Sequence, residues 1–185
     1  MKKIAAWIQG ISMAILIALG TVSESTHAAN VTATGCIAET AFSPRGGGKE
    51  LILDVIDGAK QTIRMATYSF TEPQIAKALL SAKKRGVNVA VVVDKDHNGR
   101  KPDRPSAAGF LSENGVSVFM TDYYKIQHNK FIVADGVVVQ TGSFNYSRSA
   151  EMDNAENVLV LRQCPQMGEA YIKDWNKLRA VARAF

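Results

Sequence analysis

The arrangement of apolar and polar residues along the chain predicts two amphipathic helices in its first half. Within residues 49–60, and again within residues 71–85, apolar side chains recur every three to four positions, which is the spacing of one helix face. The second helix is expected to begin at Thr71 as its capping residue, with Pro73 in its first turn, and to end at Gly86. Each helix therefore has one apolar face that can cover a sheet.

Strand-like segments alternate with these helices. Residues 61–70 are strand-like, and residues 87–93 form a nearly continuous β-branched run. Such a run indicates a strand covered on both faces, and the helix between the two strands predicts a parallel pair with a right-handed crossover. Further segments are a helix at 106–114, strands at 116–120 and 157–162, and a terminal helix at 165–183. Together they predict an α/β domain in which a mixed β-sheet is flanked by helices on both faces.

The first 29 residues have a different character from the rest of the chain. They begin with Met1-Lys2-Lys3, continue through an apolar stretch and offer small residues at Ala28-Ala29, as a cleaved secretory signal peptide does. This predicts export to the periplasm or secretion, with no membrane association of the mature form. The alternative is an uncleaved membrane anchor, although the apolar stretch is interrupted by Gln9 and short for a bilayer span. Residues 30–48 are expected to be a lead-in with a glycine-rich, flexible end, and residues 49–185 the folded domain.

Two cysteines, Cys36 and Cys164, lie near opposite ends of the predicted mature chain. In an exported protein an even number of cysteines favours a disulfide, and two cysteines allow one intrachain pairing. Such a bond would join the N-terminal segment to the last part of the domain. Two free thiols are the alternative, and neither cysteine has neighbours that indicate a metal site.

The charge distribution favours a polyanionic partner. The 185-residue chain has 22 Lys and Arg against 17 Asp and Glu, a formal net charge of +5, and its 46% hydrophobic content is ordinary for a globular protein. Four basic residues lie within one polar segment: Lys95, Arg100, Lys101 and Arg104. They are interpreted as nucleic-acid contacts beside the active site, while three aspartates in the same segment leave a solvated surface loop as the alternative.

Candidate chemistry is concentrated between His128 and Asn145, in the segment HNKFIVADGVVVQTGSFN. His128 and Lys130 are two residues apart, so an extended backbone would point both side chains to the same face. The following residues predict a hairpin of two apolar strands that turns at Asp135-Gly136. This hairpin would bring Ser143 and Asn145 back to the strand end that carries His128.

The spacing H-x-K-x4-D-x6-G-S-x-N of this segment resembles the signature of the phospholipase D superfamily. The resemblance implies a phospholipase D-like α/β/α sandwich at residues 49–185. It also implies cleavage of phosphodiester bonds through a phosphohistidine, with no metal and no cofactor. The motif occurs once, since His97 has no lysine two positions later. The chain is therefore similar to the short, single-motif bacterial endonucleases, in which two chains form a homodimer to complete one active site.

Metal-free phosphodiester cleavage requires a nucleophile, an acid and donors for the non-bridging oxygens, and the segment offers candidates for each role. His128 is the candidate nucleophile when its imidazole is neutral, and Lys130 is the candidate oxyanion-binding cation. Asn145 and Ser143 supply an amide N–H and a hydroxyl. Glu156 is expected to accept a hydrogen bond from the second ring nitrogen of His128 and to orient the ring. The sequence contains no second HxK, and the resemblance implies that the acid is the equivalent histidine of a second subunit.

Other polar residues receive weaker interpretations. Asp135 belongs to the motif, but its position in the predicted turn favours a structural role. Tyr68 and Ser69 end a predicted strand, and the resemblance implies that this end lies near the site, so both are interpreted as lining of the site. His97 is interpreted as a nucleic-acid contact.

The sequence thus predicts an exported, metal-independent phosphodiesterase that hydrolyses nucleic acid without sequence specificity, with DNA as the first candidate substrate and RNA left open. Within the enzymes, the alternative is a phospholipase D-type lipid hydrolase or transferase. Outside them, it is a non-catalytic nucleic-acid-binding accessory protein.

Overall fold

The computed structural model describes residues 31–99 and 106–185. The strands in these ranges are β1 (Ile37–Ser43), β2 (Thr62–Thr67), β3 (Asn88–Asp94), β4 (Ser117–Thr121), β5 (Lys130–Ala134), β6 (Val138–Gly142), β7 (Glu156–Arg162) and β8 (Arg183–Ala184). The helices are α1 (Gly48–Gly58), α2 (Pro73–Lys84), α3 (Lys95–Asn98), α4 (Ala107–Glu113), α5 (Arg148–Met152) and α6 (Pro165–Ala180). The predicted signal peptide at residues 1–29 lies outside the described residues.

All eight strands belong to one sheet, in the order β1-β7-β6-β5-β2-β3-β4-β8. The β2–β3 and β3–β4 pairs are parallel, as expected for strands joined by helices. The remaining pairs are antiparallel. The predicted α/β architecture with a mixed sheet is therefore confirmed.

Helices cover both faces of the sheet because its central strands are apolar on both sides. Met65 of β2 packs in a core formed with α1, α2 and α4, whereas the next residue, Ala66, packs in a second core that contains Trp175 of α6. Residues of β5 alternate in the same way between the two cores, and each of its five residues is buried. Burial of a side chain such as Ile132, which is fully buried, stabilises the fold by about 1.5–3 kcal/mol.

At two helix boundaries, a specific contact explains the difference from the sequence prediction. The N-cap of α2 is Glu72 and not Thr71. The side chain of Glu72 accepts a hydrogen bond from Gln74 N. The backbone N–H of Thr71 instead donates to the carbonyl of Tyr146. At the other end of the chain, α6 stops at Ala180 because the residues beyond it form β8 against β4.

The segment at residues 30–48, expected to be a lead-in, contains strand β1. This strand pairs with β7 along seven positions at the edge of the sheet, and the predicted disulfide between Cys36 and Cys164 is present beside it. The exposed, partly polar sequence of an edge strand gives little hydrophobic pattern, which explains why the sequence did not indicate it. Within the described ranges, no helix is both long and apolar enough to cross a membrane.

Candidate active site at one end of the sheet

The candidate residues collect at one end of the sheet because of strand direction and register. β2 ends at Thr67, which pairs with Lys130 at the start of the antiparallel strand β5. β6 ends at Gly142 and β7 begins at Glu156. The HxK segment, the GSxN segment and Glu156 therefore lie at the same end of the sheet. The hairpin turns at Asp135-Gly136, where both residues have positive φ, as predicted for an Asp-Gly turn.

His128 precedes β5 with an exposed side chain. Its ring lies against the ring of Tyr68, with 4.6 Å between the centroids and a tilt of 53°. The pKa of His128 is lowered from its ordinary value, first by desolvation and then by the charge of Lys130, while Asp94 opposes the shift. A lowered pKa favours the neutral imidazole, which is the form that can act as a nucleophile.

Lys130 is a buried cation, with only 7% of the residue exposed. Its Nζ donates a hydrogen bond of 2.7 Å to the backbone carbonyl of His128 and lies 5.3 Å from the centroid of the Tyr68 ring. Desolvation lowers the pKa of Lys130, and the charge of Glu156 opposes that effect. The ammonium is therefore held at the backbone of His128 and near the Tyr68 ring, where it can neutralise the charge of a bound phosphate.

Ser143 and Glu156 form a direct pair. The Ser143 hydroxyl donates a 2.5 Å hydrogen bond to Glu156 Oε2 and accepts one from the backbone N–H of Asn157. The other carboxylate oxygen of Glu156 accepts a hydrogen bond from Asn154. Among the hydrogen bonds of the described residues, the carboxylate of Glu156 accepts from Ser143 and Asn154 and not from the His128 ring, so the orienting bond to His128 stays a prediction.

Asn145 and Gly142 complete the GSxN segment. Asn145 Oδ1 is buried and has no hydrogen-bond partner in the described part of the chain. Gly142 lies so close to β7 that a Cβ at this position would be 2.1 Å from the carbonyl oxygen of Asn157. The motif glycine is thus required by the close approach of two backbones, which brings Ser143 into contact with Glu156.

Asp135 lies at the opposite end of β5 from the candidate site. Its carboxylate accepts hydrogen bonds of 2.8 Å from the backbone N–H groups of Lys60, Gln61 and Thr62. Desolvation raises the pKa of this carboxyl, but the three backbone donors outweigh it, and the net pKa is lowered. These contacts agree with the structural role that the sequence indicated.

Sequence interpretation missed two buried polar residues behind the site. Asp94, at the end of β3, accepts hydrogen bonds from the backbone N–H groups of His97 and Gln127, the residue next to His128. Asn98 donates to the backbone carbonyls of Tyr68 and Asp94. The available signal was the position of Asp94 at the end of an apolar run. Functional sites of α/β proteins lie at the carboxyl ends of such strands.

The predicted nucleic-acid contacts are only partly within the described residues. Lys95 begins α3, and its Nζ is 2.6 Å from Asp122, which also pairs with Arg183. Hydrogen bonds from Lys95 and Arg183 lower the pKa of Asp122 to about 2. Arg100, Lys101 and Arg104 lie outside the described residues, so their role stays a prediction. In residues 31–99 and 106–185, no group of three or more His, Cys, Asp or Glu side chains is arranged to hold a metal ion.

This fold and this arrangement of HxK and GSxN residues define a phospholipase D-type phosphodiesterase, and comparison with known proteins agrees. The family model described as "Cardiolipin synthase, PLD-like domain" matches residues 52–177. The chain therefore belongs to the phospholipase D family, which confirms the resemblance found in the sequence.

Three relatives illustrate the similarity. A phospholipase D of Rickettsia bellii is 33% identical over 141 residues, which is 76% of this chain and 68% of the relative. The crystal structure of Nuc, a phospholipase D family member from Salmonella typhimurium, is 38% identical with a TM-score of 0.77, covering 81% of this chain and 98% of Nuc. NucT from Helicobacter pylori shares the fold at 23% identity and a TM-score of 0.74, covering 81% of this chain and 99% of NucT.

Proposed function

We propose that this protein is a metal-independent phosphodiesterase that hydrolyses nucleic acid through a phosphohistidine on His128. The proposal rests on two groups at one end of the sheet. The lowered pKa of His128 favours its neutral form, and the ammonium of Lys130 is buried close to it in the chain. A neutral imidazole supplies the electron pair for attack on phosphorus, and the adjacent cation binds a non-bridging oxygen.

The proposed reaction has two displacements. In the first, a ring nitrogen of His128 forms a bond to phosphorus while the bond from phosphorus to the leaving oxygen breaks, and the leaving alkoxide takes a proton from a protonated histidine. In the second, that histidine, now neutral, removes a proton from water, whose oxygen displaces the His128 nitrogen from phosphorus. Lys130 and Asn145 stabilise the charge on the non-bridging oxygens in both steps, and Ser143 joins them when its hydroxyl proton turns from Glu156 to the phosphate.

One imidazole cannot attack phosphorus and donate a proton at the same time, so the acid must be a second group. We assign it to His128 of the partner subunit, related by a two-fold axis through the site, which makes the functional unit a homodimer. The two imidazoles then titrate as a coupled pair, and in the active form one is neutral and the other is protonated. The match to Nuc is consistent with a single-motif chain of this size, because 98% of Nuc is covered by this chain, which carries one HxK motif.

Nucleic acid is the proposed substrate because the positive charge of the protein favours a polyanion: the formal net charge is +5, and +4 remains once Lys2, Lys3 and Glu24 are removed with residues 1–29. The single HxK motif also points to the short nuclease branch of the superfamily. A phospholipid is the second candidate, supported by the name phospholipase D of the 33% identical Rickettsia bellii relative. The chemistry at phosphorus is the same for both substrates. The choice between nucleic acid and phospholipid therefore depends on residues outside the site that bind the rest of the substrate.

We also propose that the protein acts after export, in the periplasm or outside the cell. The Cys36–Cys164 disulfide supports an oxidising compartment, since such bonds are rare in the reducing cytosol. The proposed signal peptide at residues 1–29 would direct the chain there, and its removal would leave a mature form that is not bound to membrane.

Digestion of supercoiled plasmid in excess EDTA tests the proposed function, with His128→Ala as the inactive variant and phospholipid vesicles as the second substrate. Nicking that persists in EDTA and is lost in His128→Ala supports the nuclease. Cleavage of phospholipid with intact plasmid would leave the chemistry in place and overturn the substrate. Binding of DNA without turnover of either substrate would indicate an accessory protein and overturn the enzymatic proposal.

A further inference from the structure

The ring of Tyr68 contacts three side chains of the candidate site. It is stacked on His97 with 4.2 Å between centroids, lies 4.6 Å from the His128 ring, and has Lys130 Nζ 5.3 Å from its centroid. These distances fall within the range of aromatic and cation–π contacts. Tyr68 therefore lies at the centre of the groups that would bind and attack phosphate.

The His128 imidazole needs an orienting contact, because an exposed side chain otherwise samples several rotamers. A carboxylate bonded to the second ring nitrogen would supply it, but Glu156 is bonded to Ser143 and Asn154. Within the described ranges, the His128 ring makes an aromatic contact with Tyr68, and no hydrogen bond orients it. From this geometry we infer that Tyr68 is a positioning residue, whose aromatic ring holds the His128 imidazole in the orientation for attack.

Tyr68 can act in this way because the structure fixes its own position. Its backbone carbonyl accepts a hydrogen bond from the buried side chain of Asn98, whose Oδ1 in turn accepts one from Phe70 N. His97 packs on the Tyr68 ring, and its backbone N–H is bonded to Asp94. The backbone from Tyr68 to Phe70 is thus anchored to Asn98, and the Tyr68 ring is packed against the His97 imidazole.

The charge environment of His128 depends on several groups near this ring. Those that affect its titration are Lys130, Asp94 and His97, while Glu156 acts on Lys130, and Asp174 of α6 borders the same surface. Since desolvation is the largest cause of the lowered pKa of His128, removing the neighbouring aromatic ring should admit water and raise it.

The test compares Tyr68→Leu, which removes the ring, with Tyr68→Phe, which keeps the ring and removes the hydroxyl. Hydrolysis of bis(4-nitrophenyl) phosphate is the assay, because this small diester requires neither nucleic-acid nor lipid binding. We expect Tyr68→Leu to lower kcat by about 10- to 100-fold with little change in KM. We expect Tyr68→Phe to restore most of kcat, and the acidic limb of the Tyr68→Leu profile to move to higher pH. Tyr123→Leu, which changes a tyrosine that is 70% exposed, is the matched control.

Thermal unfolding of each variant separates loss of positioning from loss of fold, and Tyr68→Met replaces Tyr68→Leu if the latter does not fold. Full kcat in the folded ring-less variant would overturn the inference. An equal loss in Tyr68→Phe would also overturn it, because the hydroxyl and not the ring would then be required.

The inference rests on the proposed nucleophilic role of His128. If His128→Ala retained activity on the same diester, that proposed function would fail, whereas an inactive His128→Ala with a fully active Tyr68→Leu would refute the positioning role alone.

Discussion

Lys130 Nζ donates a 2.7 Å hydrogen bond to the backbone carbonyl of His128, two residues earlier in the chain. This bond fixes the ammonium at the backbone of His128 before any substrate is bound, and its charge contributes to lowering the pKa of the His128 imidazole. Because Lys130 is 93% buried, the cation has few water molecules to displace when a phosphate oxygen approaches. The HxK spacing thus provides a preorganised cation as well as a nucleophile.

Replacement of Lys130 by Met should remove most of the activity. Methionine keeps the approximate length of the side chain but supplies no charge, so kcat should fall by about 10²–10³-fold, as for loss of one oxyanion-binding group. Lys130→Arg should not restore it, since a planar guanidinium does not fit the geometry of an ammonium. Steady-state kinetics on a small diester measures both variants, with exposed Lys177 of α6 changed to Met as control. Activity of Lys130→Met close to that of the wild type would exclude the assigned role.

The pH dependence should report the lowered pKa of His128. The nucleophile must be neutral, so activity is lost as pH falls through its pKa, and a lowered pKa moves this loss below the ordinary value of 6.5. Because a second, protonated imidazole is required, activity should also fall on the alkaline side. A pH profile of kcat/KM on a small diester measures both limbs. An acidic limb above 6.5 would disagree with the environment of His128 seen in the structure.

Mixing of wild-type and His128→Ala chains should test the shared site. If each site needs both histidines, a mixed dimer is inactive and activity follows the square of the wild-type fraction. After unfolding and refolding together in equal amounts, activity should be about one quarter of that of the same total amount of wild type, and not about one half. A linear dependence on the wild-type fraction would show that each chain acts alone.

Asp135 should affect stability more than catalysis. Asp135→Ala leaves three backbone N–H groups without their acceptor and should lower the free energy of unfolding by about 1–3 kcal/mol. Asp135→Asn should cost less, since asparagine also adopts the positive φ of 53° at this position. The folded-state pKa of Asp135 is lowered, so its contribution is complete above the unfolded pKa of about 3.9 and is lost as pH falls through the folded value.

Denaturant unfolding of Asp135→Ala and wild type at pH 7 and at pH 3 measures this contribution. The difference between the two proteins should be smaller at pH 3. A difference that does not change with pH, or a large loss of kcat at a temperature where the variant is folded, would show that the carboxylate has another role.

The parts of the structure that could be predicted are those specified by local pattern. The β5–β6 hairpin follows from two apolar strands separated by an Asp-Gly pair, and the parallel β2–β3 pair from two apolar strands separated by an amphipathic helix. His128 and Lys130 could be placed together because residues two apart on an extended backbone share a face.

The parts that could not be predicted depend on contacts between distant segments. The close pairing of β6 and β7 at Gly142, for example, brings Ser143 within reach of the Glu156 carboxylate. The contact between Tyr68 and His128 depends on the register of β2 against β5, which places Thr67 opposite Lys130. No local pattern specifies such a register.

Trapping the covalent intermediate tests the central claim most directly. The reaction with bis(4-nitrophenyl) phosphate is quenched rapidly without acid during turnover, and proteolytic peptides are analysed by mass spectrometry. We expect one phosphoryl adduct, on His128. It should be present on at most half of the chains, because two chains share one site. A matching burst of nitrophenol should accompany it. An adduct on another residue, or turnover with neither adduct nor burst, would contradict the phosphohistidine mechanism.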